Sequence, residues 1–230
     1  MSTSVAALRE LLEQRFPDAT PLTHRESLAE QVATGIAPLD QVLPSGGFPR
    51  GRLSVWAPQG GATAILRSAC DAVVAAGERA AWIDGDGTVA GAFWDSGPTL
   101  VRPQSRVHAL RAADELLRCG GFAFLVIAGI DPQGTEMVRL TRAAREGGTA
   151  FVAMTSNASL ASLRMTSRLM RYRWRRSPFG DPAEVQDVTV RVHARTVGWN
   201  AHVEFPLQVV QHELRLSLES DLADRRGLPR

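Results

Sequence analysis

One stretch of eight residues holds the pattern most capable of chemistry. Ala57-Pro58-Gln59-Gly60-Gly61-Ala62-Thr63-Ala64 is a glycine-containing turn between an apolar, strand-like run and a helix-like one. Such a turn can wrap backbone N–H groups around a phosphate, and the N-terminus of the following helix adds partial positive charge. Nucleotide hydrolysis needs two further groups: a lysine ammonium for the β- and γ-phosphates and a Ser/Thr hydroxyl for magnesium. All 26 basic side chains of this chain are arginine, so no lysine is present to supply the ammonium. Arg67 falls a helical turn further on and is not taken as a substitute for that ammonium. The expectation is a phosphate loop that keeps its shape without its grip, and no cofactor is assigned to it.

A second cluster is electrostatic. No acidic residue occurs between Glu146 and Asp181, whereas Arg164, Arg168, Arg171, Arg173, Arg175 and Arg176 all fall in that window. Within 168–176, Met170, Tyr172 and Trp174 alternate with Arg171, Arg173 and Arg175. Within 187–196, Val188, Val190, Val192 and Ala194 alternate with Thr189, Arg191, His193 and Arg195. Period-two alternation describes strands with one apolar and one wet face. If the two strands pair in register, Arg171, Arg173 and Arg175 share a face with Arg191, His193 and Arg195, and the apolar sets form the core side. Three uses fit such a face: phosphate backbone of single-stranded DNA, an acidic protein partner, or plain solvation. His24, His108, His193, His202 and His212 show no metal-ligand spacing, and no metal site is assigned.

These residues need a scaffold, and the chain supplies one. Strand-like 53–57, helix 63–76, strands 80–84 and 99–102, helix 106–119, strand 122–128, helix 135–146 and strand 149–155 follow in turn. Near-continuous apolar strands alternating with helices predict an α/β fold with a mainly parallel sheet buried on both faces. The alternating strands after residue 160, with a third at 202–209, predict an antiparallel C-terminal extension. Upstream, Val5, Leu8, Leu12 and Phe16 recur at helical spacing and form a candidate partner-docking stripe. The expected division is an N-terminal arm and linker over 1–33, a core over 34–218 and a flexible tail over 219–230. At 230 residues, with 44% hydrophobic and 22% charged residues and a net charge of +2, the composition is that of a globular domain. No apolar run is long enough to span a bilayer. The isolated Cys70 and Cys119 and the lack of a secretory pattern lead to an expectation of a cytoplasmic protein with reduced thiols.

Specific words in the chain resemble the RecA family of recombinase cores. They are Thr34-Gly35 with Leu39-Asp40, Gly46-Gly47-Phe48-Pro49-Arg50-Gly51-Arg52 leading into the strand before the glycine turn, and Ile83-Asp84-Gly85-Asp86 ending the next strand. The likeness covers roughly 34–210, and within that superfamily it is strongest to the ImuA family, the RecA-like or SulA-like proteins of bacterial SOS mutagenesis cassettes. The resemblance implies a RecA-like sheet. It also implies Gly60, Gly61, Ala62, Thr63 and Ala64 as a vestigial phosphate loop and Asp86 as the counterpart of the family's water-activating glutamate. The apolar strand ending at Ile127 meets Ala128 and Gly129 where the family has a magnesium-binding aspartate; Asp131 follows three residues after Ala128. Phosphoryl transfer relies on positioning and electrostatics, and one lost contact of this kind costs ~3 kcal/mol. Losing two or three leaves a pseudo-ATPase. The resemblance further implies a role in DNA damage tolerance and translesion synthesis. Its implied partners are the RecA recombinase, the inactive Y-family-like ImuB and, through it, an error-prone replicative polymerase. A nucleotide-dependent ATPase of RecA or KaiC type and a single-stranded DNA-binding factor using Arg168, Arg171, Arg173, Arg175, Arg176, Arg191 and Arg195 stay open as alternatives.

Overall fold

The computed structural model describes residues 31–89, 97–157, 159–176 and 182–208. The docking stripe Val5, Leu8, Leu12 and Phe16 and the 219–230 tail lie outside the described residues. The elements run β1 (Gln31–Val32), α1 (Ala37–Val42), β2 (Phe48–Pro49), β3 (Leu53–Trp56), α2 (Ala62–Ala75), β4 (Ala80–Asp84) and β5 (Thr99–Val101). They continue α3 (Arg106–Arg118), β6 (Phe124–Ala128), α4 (Thr135–Gly147), β7 (Ala150–Met154), β8 (Leu163–Arg176), β9 (Pro182–Thr196) and β10 (Trp199–Gln208).

Eight strands form one sheet in the order β10-β9-β8-β3-β7-β6-β4-β5. From β8 to β5 neighbouring strands are parallel, while β8–β9 and β9–β10 are antiparallel. Composition sorts the two halves. The strands β6 and β7 read Phe-Leu-Val-Ile-Ala and Ala-Phe-Val-Ala-Met and are almost wholly buried, as parallel strands covered on both sides must be. β9 and β10 close through the two residues Val197-Gly198, with Gly198 at φ 79°, the positive dihedral that tight hairpins demand.

Each face has its own core. On one side Trp56, Trp82, Phe124 and Val152 pack with Ile65, Leu66, Ala69 and Val73 of α2 and Leu39 of α1. Val188, Val190, Val192 and Ala194 extend this core under the hairpin, as the alternation predicts. On the other side Val55, Ile83, Leu125 and Phe151 meet Leu110 and Leu117 of α3 and Met137 and Leu140 of α4. These two helices lie over β4, β6 and β7, so among the described residues no helix covers the same face of β8–β10.

Two of the resemblance words have local structural work. Thr34 N–H donates to Asp40 Oδ1 at 2.8 Å, tying the chain ahead of α1 to that helix. Gly35, at φ 73°, lies against Ser68 and Ala72 of α2, where a Cβ would stand 3.1 Å from Ala72.

Candidate functional site

The glycine turn joins β3 to α2 as expected, and its glycines have a packing reason. Gly60 and Gly61 sit at φ 62° and 86°, where side chains are strained. A Cβ on Gly60 would overlap the Ser167 carbonyl of β8, and one on Gly61 would stand 3.3 Å from Leu169 Cδ2. Ser167 fastens the turn further: its Oγ donates to Gln59 O at 2.8 Å and accepts from Trp56 Nε1 at 3.0 Å. The helix starts with no side-chain cap, and Thr63 and Ala64 are exposed on its first turn. Arg67 lies within 4.0 Å of Asp71, its neighbour one turn along α2.

The carboxylates near the strand ends are arranged for turns. Asp84, buried at the end of β4, accepts from Thr88 N at 3.2 Å and Val89 N at 2.9 Å, and Arg102 approaches it at 3.9 Å. Asp86 is exposed and leans on Gly129: a Cβ at residue 129 would overlap the Asp86 carboxyl carbon. Position 129 also has φ 69°, so no aspartate fits there without moving the Asp86 loop. Asp131 accepts from Thr155 Oγ1 and, at 3.4 Å, from Gln133 Nε2, bridging the loops after β6 and β7.

The arginine face forms, with a register that strict alternation does not give. Arg164, Thr166 and Arg168 stand opposite Arg195, His193 and Arg191. The register then shifts between Leu169 and Arg171, leaving Met170 as an extra residue, so Arg171 and Arg173 stand opposite Thr189 and Asp187. This bulge places Arg168 on the same face as Arg171 and Arg173, which simple alternation would separate. Arg175 stands opposite Glu184 and Arg176 opposite Pro182, beyond a second shift. Expected core residues on β8 are corrected here: Tyr172 and Trp174 are 52% and 51% exposed, because the outer end of the hairpin runs past the helices.

Two acids from neighbouring strands reach into this face. Arg173 Nε donates to Asp187 Oδ2 at 2.6 Å, and Arg191 Nε donates to Glu204 Oε1 at 2.6 Å. Arg164, Arg168, Arg171 and Arg195 make no such pair among the described residues. Toward β3 the face deepens into a cavity of about 600 Å³ whose lining includes Arg164, Thr166, His193, Arg195, Asn200 and His202. Asn200, Thr166 and His202 escape a linear reading; only the two-residue turn and the β8–β9 pairing bring them beside the arginines. Because Val55 and Arg164 are partners across β3 and β8, this face is the one α3 and α4 cover elsewhere. The glycine turn and α2 lie with the opposite core, so the two candidate sites are not one site. No His/Cys/Asp/Glu group able to hold a metal occurs among the described residues, and no described helix is long and apolar enough to cross a membrane. No protein-family model and no curated protein matches the chain.

Proposed function

We propose that this chain is a non-catalytic, RecA-like accessory protein of DNA damage tolerance and translesion mutagenesis, acting through protein contacts rather than ATP turnover. The observation that carries the reading is the β3–α2 turn. Its glycines are accounted for by β8 packing, while the ammonium that phosphoryl transfer requires is missing from the whole sequence. The contact between Gly129 and Asp86 adds to this, since it occupies the place where the family pattern sets a magnesium carboxylate. A strand–turn–helix of this shape in a mostly parallel sheet with an antiparallel extension is what the resemblance implies. The proposed partners are the RecA recombinase and an ImuB-like polymerase relative, with the error-prone polymerase reached through the latter. A look-alike subunit that cannot turn over nucleotide would end or destabilise a RecA filament rather than extend it.

The test uses purified full-length chain. It should co-purify with RecA or the ImuB-like protein, shorten RecA filaments in electron micrographs and release no phosphate from ATP. Phosphate release above background, or micromolar ATP–magnesium binding by calorimetry, would favour the ATPase alternative. Unchanged filaments at stoichiometric excess would end the capping idea. A second reading, single-stranded DNA binding, is favoured by one observation: among the described residues, Arg164, Arg168, Arg171 and Arg195 of the hairpin make no carboxylate pair, and no described helix covers their sheet face.

A further inference from the structure

The cavity beside β3 has an uncompensated charge pattern among the described residues. Its two innermost cross-strand rows are Arg164–Arg195–Asn200 and Thr166–His193–His202, read across β8, β9 and β10. Like charges directly opposite one another in a sheet repel, so the Arg164–Arg195 row carries a cost that needs compensation. Moving outward, compensation is built in: Glu204 joins the Arg168–Arg191 row, and Asp187 joins Arg173. Inward it stops, and among the described residues no carboxylate lines the cavity. Asp131 stands behind the lining, held by the hydroxyl of Thr155. His193 and His202 stand side by side, ring centroids 5.6 Å apart, between the two sets of arginines.

We infer that this cavity binds a phosphate group, carried by a mononucleotide or by a nucleic-acid strand. Its volume lies within the range of small-molecule sites. The two guanidiniums, the Asn200 amide, two imidazoles and the Thr166 hydroxyl arrive from three different strands. A tetrahedral phosphate offers oxygens in as many directions, whereas a planar carboxylate offers two in one plane. Arginine is suited to phosphate because its fork of donors makes short, charge-assisted hydrogen bonds. The inference is independent of the pseudo-ATPase reading, since the glycine turn faces the opposite core and supplies only Ala57 to the cavity wall.

Calorimetric titration of the full chain with thymidine monophosphate, thymidine, acetate and a fluorescent oligothymidylate tests it. Thymidine monophosphate or the oligonucleotide should bind, and thymidine and acetate should not. Arg164→Ala and Arg195→Ala should each weaken that binding about tenfold or more, the usual loss for a hydrogen bond to a charged group. Asn200→Asp, which sets a carboxylate against Arg195, should abolish binding while leaving the thermal midpoint equal or higher. Arg171→Ala, outside the cavity, should spare the mononucleotide and weaken only the oligonucleotide. If the oligonucleotide alone binds and still depends on Arg164 and Arg195, the phosphate is that of a strand. Binding of neither phosphate-bearing probe, binding indifferent to Arg164, Arg195 and Asn200, or acetate binding as tightly as phosphate would each overturn the assignment. Recombinase pull-downs should be unchanged by Asn200→Asp, so failure of one reading does not imply failure of the other.

Discussion

Gly60 shows how far a single residue can be read from sequence. Its type and spacing point to a phosphate loop, but the reason it must be glycine is visible only in space, where β8 passes against it. Gly77 gives a matched control, because at φ 80° it shares the positive dihedral with nothing within 4 Å of a Cβ. Substituting alanine at residue 77 should cost about 1 kcal/mol, the penalty of the left-handed region alone. At residue 60 the overlap with the Ser167 carbonyl adds to that penalty, for a loss of about 2 kcal/mol or more. Urea midpoints of Gly60→Ala and Gly77→Ala measure the difference; equal losses would mean that the β8 contact contributes nothing. The missing lysine, by contrast, was fully legible, since an absent residue type needs no structure to be noticed. Asp84 lay between these cases. Its place at the end of an apolar strand marked it, but its use as a buried acceptor for Thr88 and Val89 depended on a loop that the sequence does not draw.

At the level of elements, hydrophobic period located most strands and helices to within a residue or two, because buried parallel strands and amphipathic helices differ strongly in pattern. The hairpin was harder. Met170 is apolar and in step with Tyr172 and Trp174, so nothing in the residue types marks it as the extra residue of a bulge. Helices α3 and α4 illustrate ordinary charge use: Arg106 Nη1 donates to Glu136 Oε1 at 2.7 Å, joining the start of one helix to the start of the other. The Arg106 hydrogen bond, reinforced by the Gln133 N–H, holds the Glu136 carboxyl below its usual range. A carboxyl lowered in the folded state stabilises it above the unfolded value, and that stabilisation is lost as the pH falls through the folded value. Glu136→Gln should therefore melt below the unsubstituted chain at neutral pH, and the two should converge as the pH drops through the carboxylate range. Thermal scans across that range decide it; a gap that persists in acid would assign the effect to packing instead. Both partners are partly open to solvent, so the gap should be small and should shrink with salt.

Across the whole molecule, charge is near balance yet unevenly spread. On the helices arginines meet acids, as in Arg118 with Asp114 and Arg142 with Glu146, whereas among the described residues Arg164, Arg168, Arg171 and Arg195 of the hairpin do not. The sequence showed that excess as an acid-free window and could not show Asp187 and Glu204 folding back into it. Cys70 reports on the same global structure. It is fully buried in the core beneath α2, and burial drives its thiol far above the ordinary range, while Cys119 is exposed. In native protein a thiol reagent should label one cysteine promptly and the second only at the rate of global unfolding, read by mass spectrometry. Two fast labels would mean that α2 opens locally.

The sheet has one further consequence. Its glycine turn looks out on one side and its arginine rows on the other, about a common wall of strands. Substitutions in the arginine rows therefore leave the glycines of the turn in place, and the two surfaces can be probed one at a time.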